Sequence, residues 1–143
     1  MGLRLDIVTP ERELFTGEVD TVLVPGAEGQ LGILPQHAPL ITVLDEGVLT
    51  ARRGAESLAF AIHGGYMQVL SDHVIVLADV AEQAEEIDVE RAEEARRRAE
   101  ELLKKQPPPE EQRAAMAALQ RSLVRLRVAR RQRPYRPERE PES

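Results

Sequence analysis

Apolar and polar side chains alternate along the chain up to about Ala84. Leu3, Leu5 and Ile7 share one side of an extended chain, with Arg4 and Asp6 on the other. The same period of two recurs over 58–62 and 73–79; it is typical of β-strands with one or both faces buried. The pattern predicts strands near residues 3–9, 12–15, 18–24, 30–34, 40–44, 47–53, 56–63, 65–70 and 73–80.

Glycine-containing and polar pairs separate these segments. Predicted turns fall at Thr16-Gly17, 26–29, Glu46-Gly47, Arg53-Gly54, Gly64-Gly65 and Ser71-Asp72. Many short strands with turns at this spacing are typical of a sandwich or a flattened barrel. We therefore predict an all-β N-terminal sandwich of about ten strands over residues 1–84.

Beyond Ala84 the apolar period changes from two to three and four, which predicts an amphipathic helix. Asp88 is suited to be the N-cap, and Lys104 and Lys105 suit the negative end of the helix dipole. The residues that recur with this period are Ala92, Ala95, Ala99, Leu102 and Leu103.

Three consecutive prolines, Pro107 to Pro109, end the first helix, because proline cannot continue it. A second helix is expected to begin between Pro109 and Glu111. Its predicted apolar face consists of Met116, Leu119, Leu123 and Leu126. The pattern over residues 85–131 thus predicts an α-helical hairpin. Its two helices either pack antiparallel or swing apart. The proline- and charge-rich segment 132–143 is predicted to be a disordered tail.

Composition narrows the possible partners. The net charge of −6 and an aromatic content of 3% argue against nucleic acid. The absence of cysteine excludes disulfides and thiolate metal sites. No segment resembles a signal peptide or approaches the ~20 apolar residues of a membrane span. We expect no direct membrane insertion, so that any association with a membrane goes through partners.

Charge is divided unevenly between the two predicted parts. Up to Ala84 four basic residues stand against twelve acidic ones, a net charge of −8, whereas from Glu85 onward fifteen stand against thirteen, a net charge of +2. Within 110–131, six arginines face two glutamates, a net charge of +4. The sandwich and the second helix therefore present opposite charges.

The sequence contains no pattern typical of catalysis. The glycines of 25–40 are followed by a strand rather than a helix, so they do not form a dinucleotide-binding turn. His37, His63 and His73 are widely separated and form no metal-ligand pair at helical spacing. We predict no metal site, no required cofactor and no enzyme activity. A stiff, unreactive loop rich in glycine and proline suits docking.

One cluster of charges has two interpretations. Positions 88, 91, 95 and 98 follow one stripe of the first helix, and two arginines of the second helix are spaced by four. If the helices fold back on each other, the arginines converge beside acids, which suits a phosphate group with a ribose or purine. The alternative is a solvated face of weak ion pairs. The residues concerned are Glu82, Asp88, Arg91, Arg98, Arg121 and Arg125.

Several segments together resemble one family. Residues 25–40 read PGAEGQLGILPQHAPL, and Gly64-Gly65-Tyr66, Val76-Leu77-Ala78-Asp79 and Ile87-Asp88-Val89-Glu90-Arg91-Ala92 follow. In this order and spacing they resemble the epsilon subunits of the rotary proton-translocating ATP synthase, from about Leu3 to Arg130. The resemblance implies a non-catalytic rotor subunit at the cytoplasmic face of the bacterial plasma membrane.

The resemblance also implies partners for each part. The sandwich is expected to bind the gamma subunit and the c-subunit ring, with Glu28, Gln30 and His37 at the contact. The hairpin is expected to permit ATP hydrolysis when docked and to inhibit it when extended, with the proline break as its hinge. An extended hairpin is expected to meet an acidic segment of the beta subunits in the alpha/beta head through Arg121, Arg125, Arg127, Arg130 and Arg131.

The motif from Ile87 to Ala92 is similar to the one through which several bacterial epsilon subunits bind ATP. The resemblance thus assigns the cluster around Glu82 and Arg91 to ATP as a regulatory ligand, sensed rather than hydrolysed. A free-standing ATP-binding sensor without a rotor partner remains the alternative function.

Overall fold

The structure, a computed structural model, describes residues 2–132. The strands are β1 (Leu3–Val8), β2 (Glu13–Val19), β3 (Thr21–Gly26), β4 (Gly29–Ile33), β5 (Leu40–Arg53), β6 (Glu56–Leu70), β7 (His73–Ala78) and β8 (Ala81–Gln83). A 3-10 turn (Ala84–Glu86) leads to α1 (Val89–Lys104) and α2 (Pro109–Gln132). The predicted fold class, an all-β part followed by two helices, is confirmed. Apart from Gln132, which ends α2, the predicted disordered tail lies outside the described residues.

The strands form one strongly folded sheet in the order β2-β1-β7-β6-β5-β3-β4, with β8 paired to β6. Pairing is antiparallel except between β1 and β7, which run parallel. One apolar core collects side chains from both ends of this order, so the sheet closes over it as a sandwich. Its fully buried large side chains include Leu3, Leu5, Ile7, Ile33, Leu49, Ile62 and Met67.

Eight strands form instead of the predicted ten or so, because two predicted turns lie inside long strands. Leu44 pairs with Gly65 and Glu46 with His63 in one unbroken register. Yet the core face of β6 changes from the even positions Phe60 and Ile62 to the odd positions 67 and 69. Gly64 and Gly65 have φ of +86° and +135°, which reverses the alternation without breaking the pairing. The predicted breaks at Gly64-Gly65 and Glu46-Gly47 are therefore wrong.

Gly47 does not form a turn; it allows two strands to approach closely. A Cβ atom at this position would lie 2.5 Å from the Cβ of Pro25, so the absence of a side chain lets β3 and β5 approach. The predicted turn at Thr16-Gly17 is also wrong: both residues lie within β2, where Thr16 pairs with Asp6 of β1. The chain instead turns at Asp20, whose carboxylate accepts the Gly54 N–H at 2.8 Å.

The helices begin where the sequence predicts. The Asp88 side chain accepts the backbone N–H of Arg91 at 3.2 Å and caps α1, and α2 begins at Pro109. The helices pack against each other as a hairpin. The predicted apolar face of α2 is only partly correct: Leu126 is buried, but Met116 and Leu123 are 47% and 39% exposed. The buried residues of α2 are Ala115, Ser122, Val124, Leu126, Val128 and Ala129.

The hairpin is docked on the sandwich through a second, smaller apolar cluster. Val48 of β5 and Ala59 and Ala61 of β6 form the sandwich side. Val124, Val128 and Ala129 of α2 form the hairpin side, joined by Ala84, Ile87 and Val89 of the connection. Most of these side chains are small, so the helix approaches closely but buries little apolar area for each residue.

Candidate functional site

A cleft of about 420 Å³ lies where β8, the start of α1 and α2 meet. This volume is within the range of roughly 300–1,000 Å³ of small-molecule sites. Five of the six residues singled out from the sequence line it: Glu82, Asp88, Arg91, Arg98 and Arg125. Arg121 is exposed on α2 and does not line the cleft.

Glu82 links the sandwich to the hairpin in this cleft. It is held on β8, opposite Ala61 of β6, and its Oε1 accepts the Nε–H of Arg125 at 2.8 Å. His63 Nε2 lies 3.0 Å from the same oxygen. Burial opposes ionisation of Glu82, but the hydrogen bonds from His63 and Arg125 outweigh it and lower its pKa to about 2. The carboxylate is therefore charged across the physiological pH range.

The first turns of α1 supply two more arginines. The Asp88 carboxylate does not pair with the Arg91 guanidinium; it caps the helix through the Arg91 backbone N–H. Within the described residues no ion pair involves the Arg91 guanidinium. Arg98 Nη2 lies 3.9 Å from Glu94 Oε2, and both side chains are more than 60% exposed. These two guanidiniums are thus available to an anion at little cost, because exposed pairs contribute under ~1 kcal/mol.

Sequence reasoning missed two acids of this cleft, Glu86 and Glu94. Glu86 forms an ion pair with Arg12, which also donates to the Ala81 carbonyl at 3.2 Å. The hydrogen bond from Arg12 lowers the pKa of Glu86. The capping-box spacing from Gln83 to Glu86 is a sequence signal for this turn. Arg12 is 74 positions away, and nothing local indicates it.

The five arginines predicted to form a basic face of α2 have different surroundings. Arg125 is bound to Glu82, and Arg131 donates to Thr50 Oγ1 at 3.1 Å. Arg127 and Arg131 line a cleft with Asp45 and Glu46 of β5. Arg121 and Arg130 are exposed to solvent. Docking therefore directs three of the five toward the acidic sandwich.

The hairpin between β3 and β4 carries two of the predicted contact residues. Glu28 and Gln30 are exposed and line a shallow groove of about 620 Å³ together with Ile41, Val43 and Tyr66. His37 lies in the loop before β5, where its Nδ1 is 2.7 Å from the Ala38 carbonyl. It does not line this groove.

An exposed apolar row forms part of the wall of that groove, and no sequence pattern indicated it. Val43, Tyr66 and Leu77 are direct neighbours across β5, β6 and β7, and each is at least half exposed. Ile41, two positions from Val43 and thus on the same face, is 73% exposed. We call Ile41, Val43, Tyr66 and Leu77 the apolar row. Contiguous exposed apolar patches are typical of interaction surfaces.

Among the residues described, no three His, Cys, Asp or Glu side chains are grouped so that they could hold a metal ion. Neither helix between residues 2 and 132 is long and apolar enough to cross a membrane.

Comparison with known proteins assigns the family. Residues 2–84 match the beta-sandwich domain of the ATP synthase delta/epsilon chain, and residues 85–130 match its long alpha-helix domain. The ATP synthase epsilon chain of Dehalococcoides mccartyi is 48% identical over 93% of this chain and 96% of its own length. The ATP synthase epsilon chain of Chloroflexus aurantiacus is 53% identical over 90% of this chain and 93% of its own length. The chain belongs to the ATP synthase delta/epsilon family.

A solved structure agrees in fold. A chain of the Euglena gracilis mitochondrial ATP synthase matches with a TM-score of 0.77 and 23% identity over 90% of this chain and 81% of its own. The resemblance to the family that the sequence indicated is confirmed. So is the prediction of a non-catalytic subunit rather than an enzyme, since the curated relatives are epsilon chains of the complex.

Proposed function

We propose that the chain is the epsilon subunit in the central stalk of a proton-translocating ATP synthase and couples proton flow to ATP synthesis without chemistry of its own. The match to both family domains, in order and over 2–130, carries this conclusion. Residues 1–84 bind the gamma subunit and the c-subunit ring, and residues 85–131 regulate hydrolysis. The subunit then lies at the cytoplasmic face of the bacterial membrane, held there by its partners.

The apolar row and the neighbouring β3–β4 hairpin are the proposed contact surface for the gamma subunit and the c-subunit ring. The row supplies apolar area that solvent otherwise contacts, and Glu28 and Gln30 supply polar groups at its edge. His37 belongs to the same proposal through its loop, although it does not line the groove. Burying four large side chains provides the apolar centre that stable interfaces need.

Co-purification tests this surface. Tyr66→Asp is expected to abolish recovery of the gamma subunit with the tagged chain, because a carboxylate buried in an apolar contact has no partner. Ser57→Asp, at the far end of β6 and exposed, is the matched control and should retain full recovery. Equal recovery with both variants would remove the apolar row from the interface. If the wild-type chain elutes alone, the alternative of a free-standing ATP sensor replaces the rotor subunit.

The hairpin is proposed to be a switch with a docked, permissive state and an extended, inhibitory state. In the docked state Arg125, Arg127 and Arg131 face sandwich groups. Undocking would release them, together with exposed Arg121 and Arg130, for the acidic segment of the beta subunits. The same arginines cannot satisfy both partners, so the two states exclude each other. Release from the sandwich requires a pivot at the connection 84–88, and extension of the two helices requires a second pivot at the proline turn between them.

ATP is the proposed ligand of the 420 Å³ cleft, with Arg91 and Arg98 on the phosphates and Glu82 and Asp88 beside them. Arg125 holds the hairpin across this site, and Arg121, one turn earlier, remains a predicted contact. Four carboxylates and three guanidiniums line the cleft. ATP must therefore compete with internal ion pairs, which favours regulatory sensing over tight retention.

Titration of ATP against the full chain tests the site. Arg91→Ala and Arg98→Ala are each expected to weaken binding about tenfold or more, because a hydrogen bond to a charged group contributes roughly 1.5–3 kcal/mol. Arg113→Ala, an exposed arginine outside the cleft, is the control and should bind as the wild type does. Identical binding by all four proteins would dismiss the cleft as the ATP site.

A further inference from the structure

Four ionisable side chains form a continuous line from the sandwich to the hairpin. His63 of β6 is 8% exposed and follows Ala59 and Ala61 on the face that carries the hairpin. Its Nδ1 contacts the Glu46 carboxylate of β5, and its Nε2 lies 3.0 Å from Glu82 Oε1. Arg125 of α2 donates to that same oxygen at 2.8 Å. Of the four, only Arg125 leaves when the hairpin leaves.

The position of His63 favours its charged form. Both ring nitrogens face carboxylate oxygens, and only imidazolium has an N–H for each of them. Burial lowers the pKa of His63, but the hydrogen bonds and charges of Glu82 and Glu46 outweigh it and raise the pKa above its usual 6.5. The imidazole therefore keeps its proton to a higher pH than an unperturbed histidine does.

Docking of the hairpin acts against this proton in three ways. It brings a second cation, the Arg125 guanidinium, to the carboxylate oxygen that His63 uses. It divides the hydrogen-bonding capacity of Glu82 Oε1 between two donors. It covers the face of β6 on which His63 lies, which disfavours any charge there. All three effects lower the affinity of His63 for a proton relative to the undocked state.

The other charged groups around these four side chains do not change the conclusion that docking lowers the proton affinity of His63. On the Glu46 side, α2 brings two further cations to a cleft that also contains Asp45: Arg127 and Arg131. On the Glu82 side, the groups that share its cleft are Glu86, Asp88, Arg91, Glu94 and Arg98. Among these, Asp88 caps α1, while Glu86 and Glu94 are paired with Arg12 and Arg98.

We propose that His63 is a proton-linked latch: its proton and the docked hairpin compete for Glu82. The proposal rests on the proposed role of the hairpin as a switch and names what regulates it. Docking lowers the affinity of His63 for its proton without removing the hydrogen bond to Glu82, so docking strengthens as the pH rises above 6.5 and weakens as it falls back. A single linked proton changes the docking equilibrium constant by at most about tenfold per pH unit.

Distance measurement on the full chain without nucleotide tests the latch. The chain has no cysteine, so fluorophores on Ser57→Cys and Gln120→Cys, both exposed, report the separation of α2 from the sandwich. The docked fraction should rise as the pH increases above 6.5. His63→Gln should remove this dependence, whereas His73→Gln, whose histidine pairs with Asp6 away from the hairpin, should retain it. A flat wild-type profile, or an unchanged slope in His63→Gln, would overturn the latch.

A second measurement does not depend on the folding of the His63 variant. The pKa of His63, followed by NMR of its ring protons, is expected to rise in Arg125→Gln, because the competing cation is gone. An unchanged or lower pKa would contradict the competition at Glu82. The proposed switch is tested separately, by measuring ATP hydrolysis of the complex with and without residues 85–131. Equal rates would reject the switch but would leave these His63 results in place.

Discussion

Glu82 is a residue whose role could be inferred only in part from the sequence. From the sequence it was one of a cluster of charges suited to a phosphate-bearing ligand, which the family resemblance identified as ATP. In the structure it receives hydrogen bonds from His63 and Arg125, whose positions in the chain differ by 62 and so could not be associated by local spacing. His63 itself was considered only as a metal ligand and set aside. Its two carboxylate partners come from β5 and β8, which pack against β6 only in the folded sheet.

The depressed pKa of Glu82 makes a stability prediction. A carboxyl with a folded pKa near 2 against 4.5 contributes stability that is present above pH 4.5 and is lost as the pH falls toward 2. Glu82→Gln is expected to lower the free energy of unfolding at pH 7 by roughly 2–3 kcal/mol and to flatten its fall below pH 4.5. Urea unfolding at several pH values measures both effects.

The matched control for this substitution is Glu56→Gln, which breaks an exposed ion pair with Arg53. It should change the free energy of unfolding by less than ~1 kcal/mol, because solvent screens such pairs. If both substitutions give the same small change at pH 7, the bridge from Glu82 to the hairpin contributes nothing measurable.

At the scale of elements, local signals were reliable where the cause is local. Asp88 caps α1 and Pro109 begins α2 as predicted, because an N-cap and a first-turn proline act within a few residues. Gly64-Gly65 was misread as a turn, because a positive φ inside a strand and one in a turn have the same residue signature. The buried face of α2 was partly misassigned for another reason: its neighbours, among them α1, β5 and β6, select small side chains over Met116 and Leu123.

The change of buried face in β6 at Gly65 predicts that a single added methyl group there strongly lowers the free energy of unfolding. In Gly65→Ala the new Cβ would meet the Leu77 carbonyl and lie 2.7 Å from the Ala78 Cα, at a φ of +135°. We expect a loss of more than about 2 kcal/mol in the free energy of unfolding, from backbone strain together with a clash against β7. Chemical denaturation of the purified variants measures it.

Gly29→Ala separates the two causes. Its φ of +126° is similar, but nothing lies within 4 Å of the new Cβ. The difference between the two variants is therefore the contribution of the close approach to β7. Equal losses would mean that strain alone accounts for Gly65.

At the scale of the whole molecule, an acidic sandwich holds a hairpin whose second helix is basic, through a small apolar interface and a few ion pairs. Val48, Ala59 and Ala61 offer little area, so docking depends strongly on close fit. The core of the sandwich lies on the opposite face of β5 and β6, so the proposed release of the hairpin would leave that core intact.

Overfilling this interface should undock the hairpin. Ala61→Trp places a large ring where Ala61 has no exposed surface. A cost of about 1–3 kcal/mol corresponds to a roughly five- to 150-fold lower docking constant. Limited proteolysis should then cleave 89–131 faster while the sandwich stays intact. Ala55→Trp, in the exposed turn between β5 and β6, should leave the cleavage rate unchanged. No difference between the two would show that the apolar fit does not hold the hairpin.

The sequence by itself determined the two-part architecture, the start of both helices and the family. Period, capping and proline placement depend on residues close together in the chain, and the family motifs are contiguous. Only the tertiary structure decided that strands 40–53 and 56–70 are continuous, which face of α2 is buried, and that Tyr66 joins an exposed apolar row. It alone brought Glu46, His63, Glu82 and Arg125 into one line, because strand pairing and helix docking join side chains that are far apart in sequence.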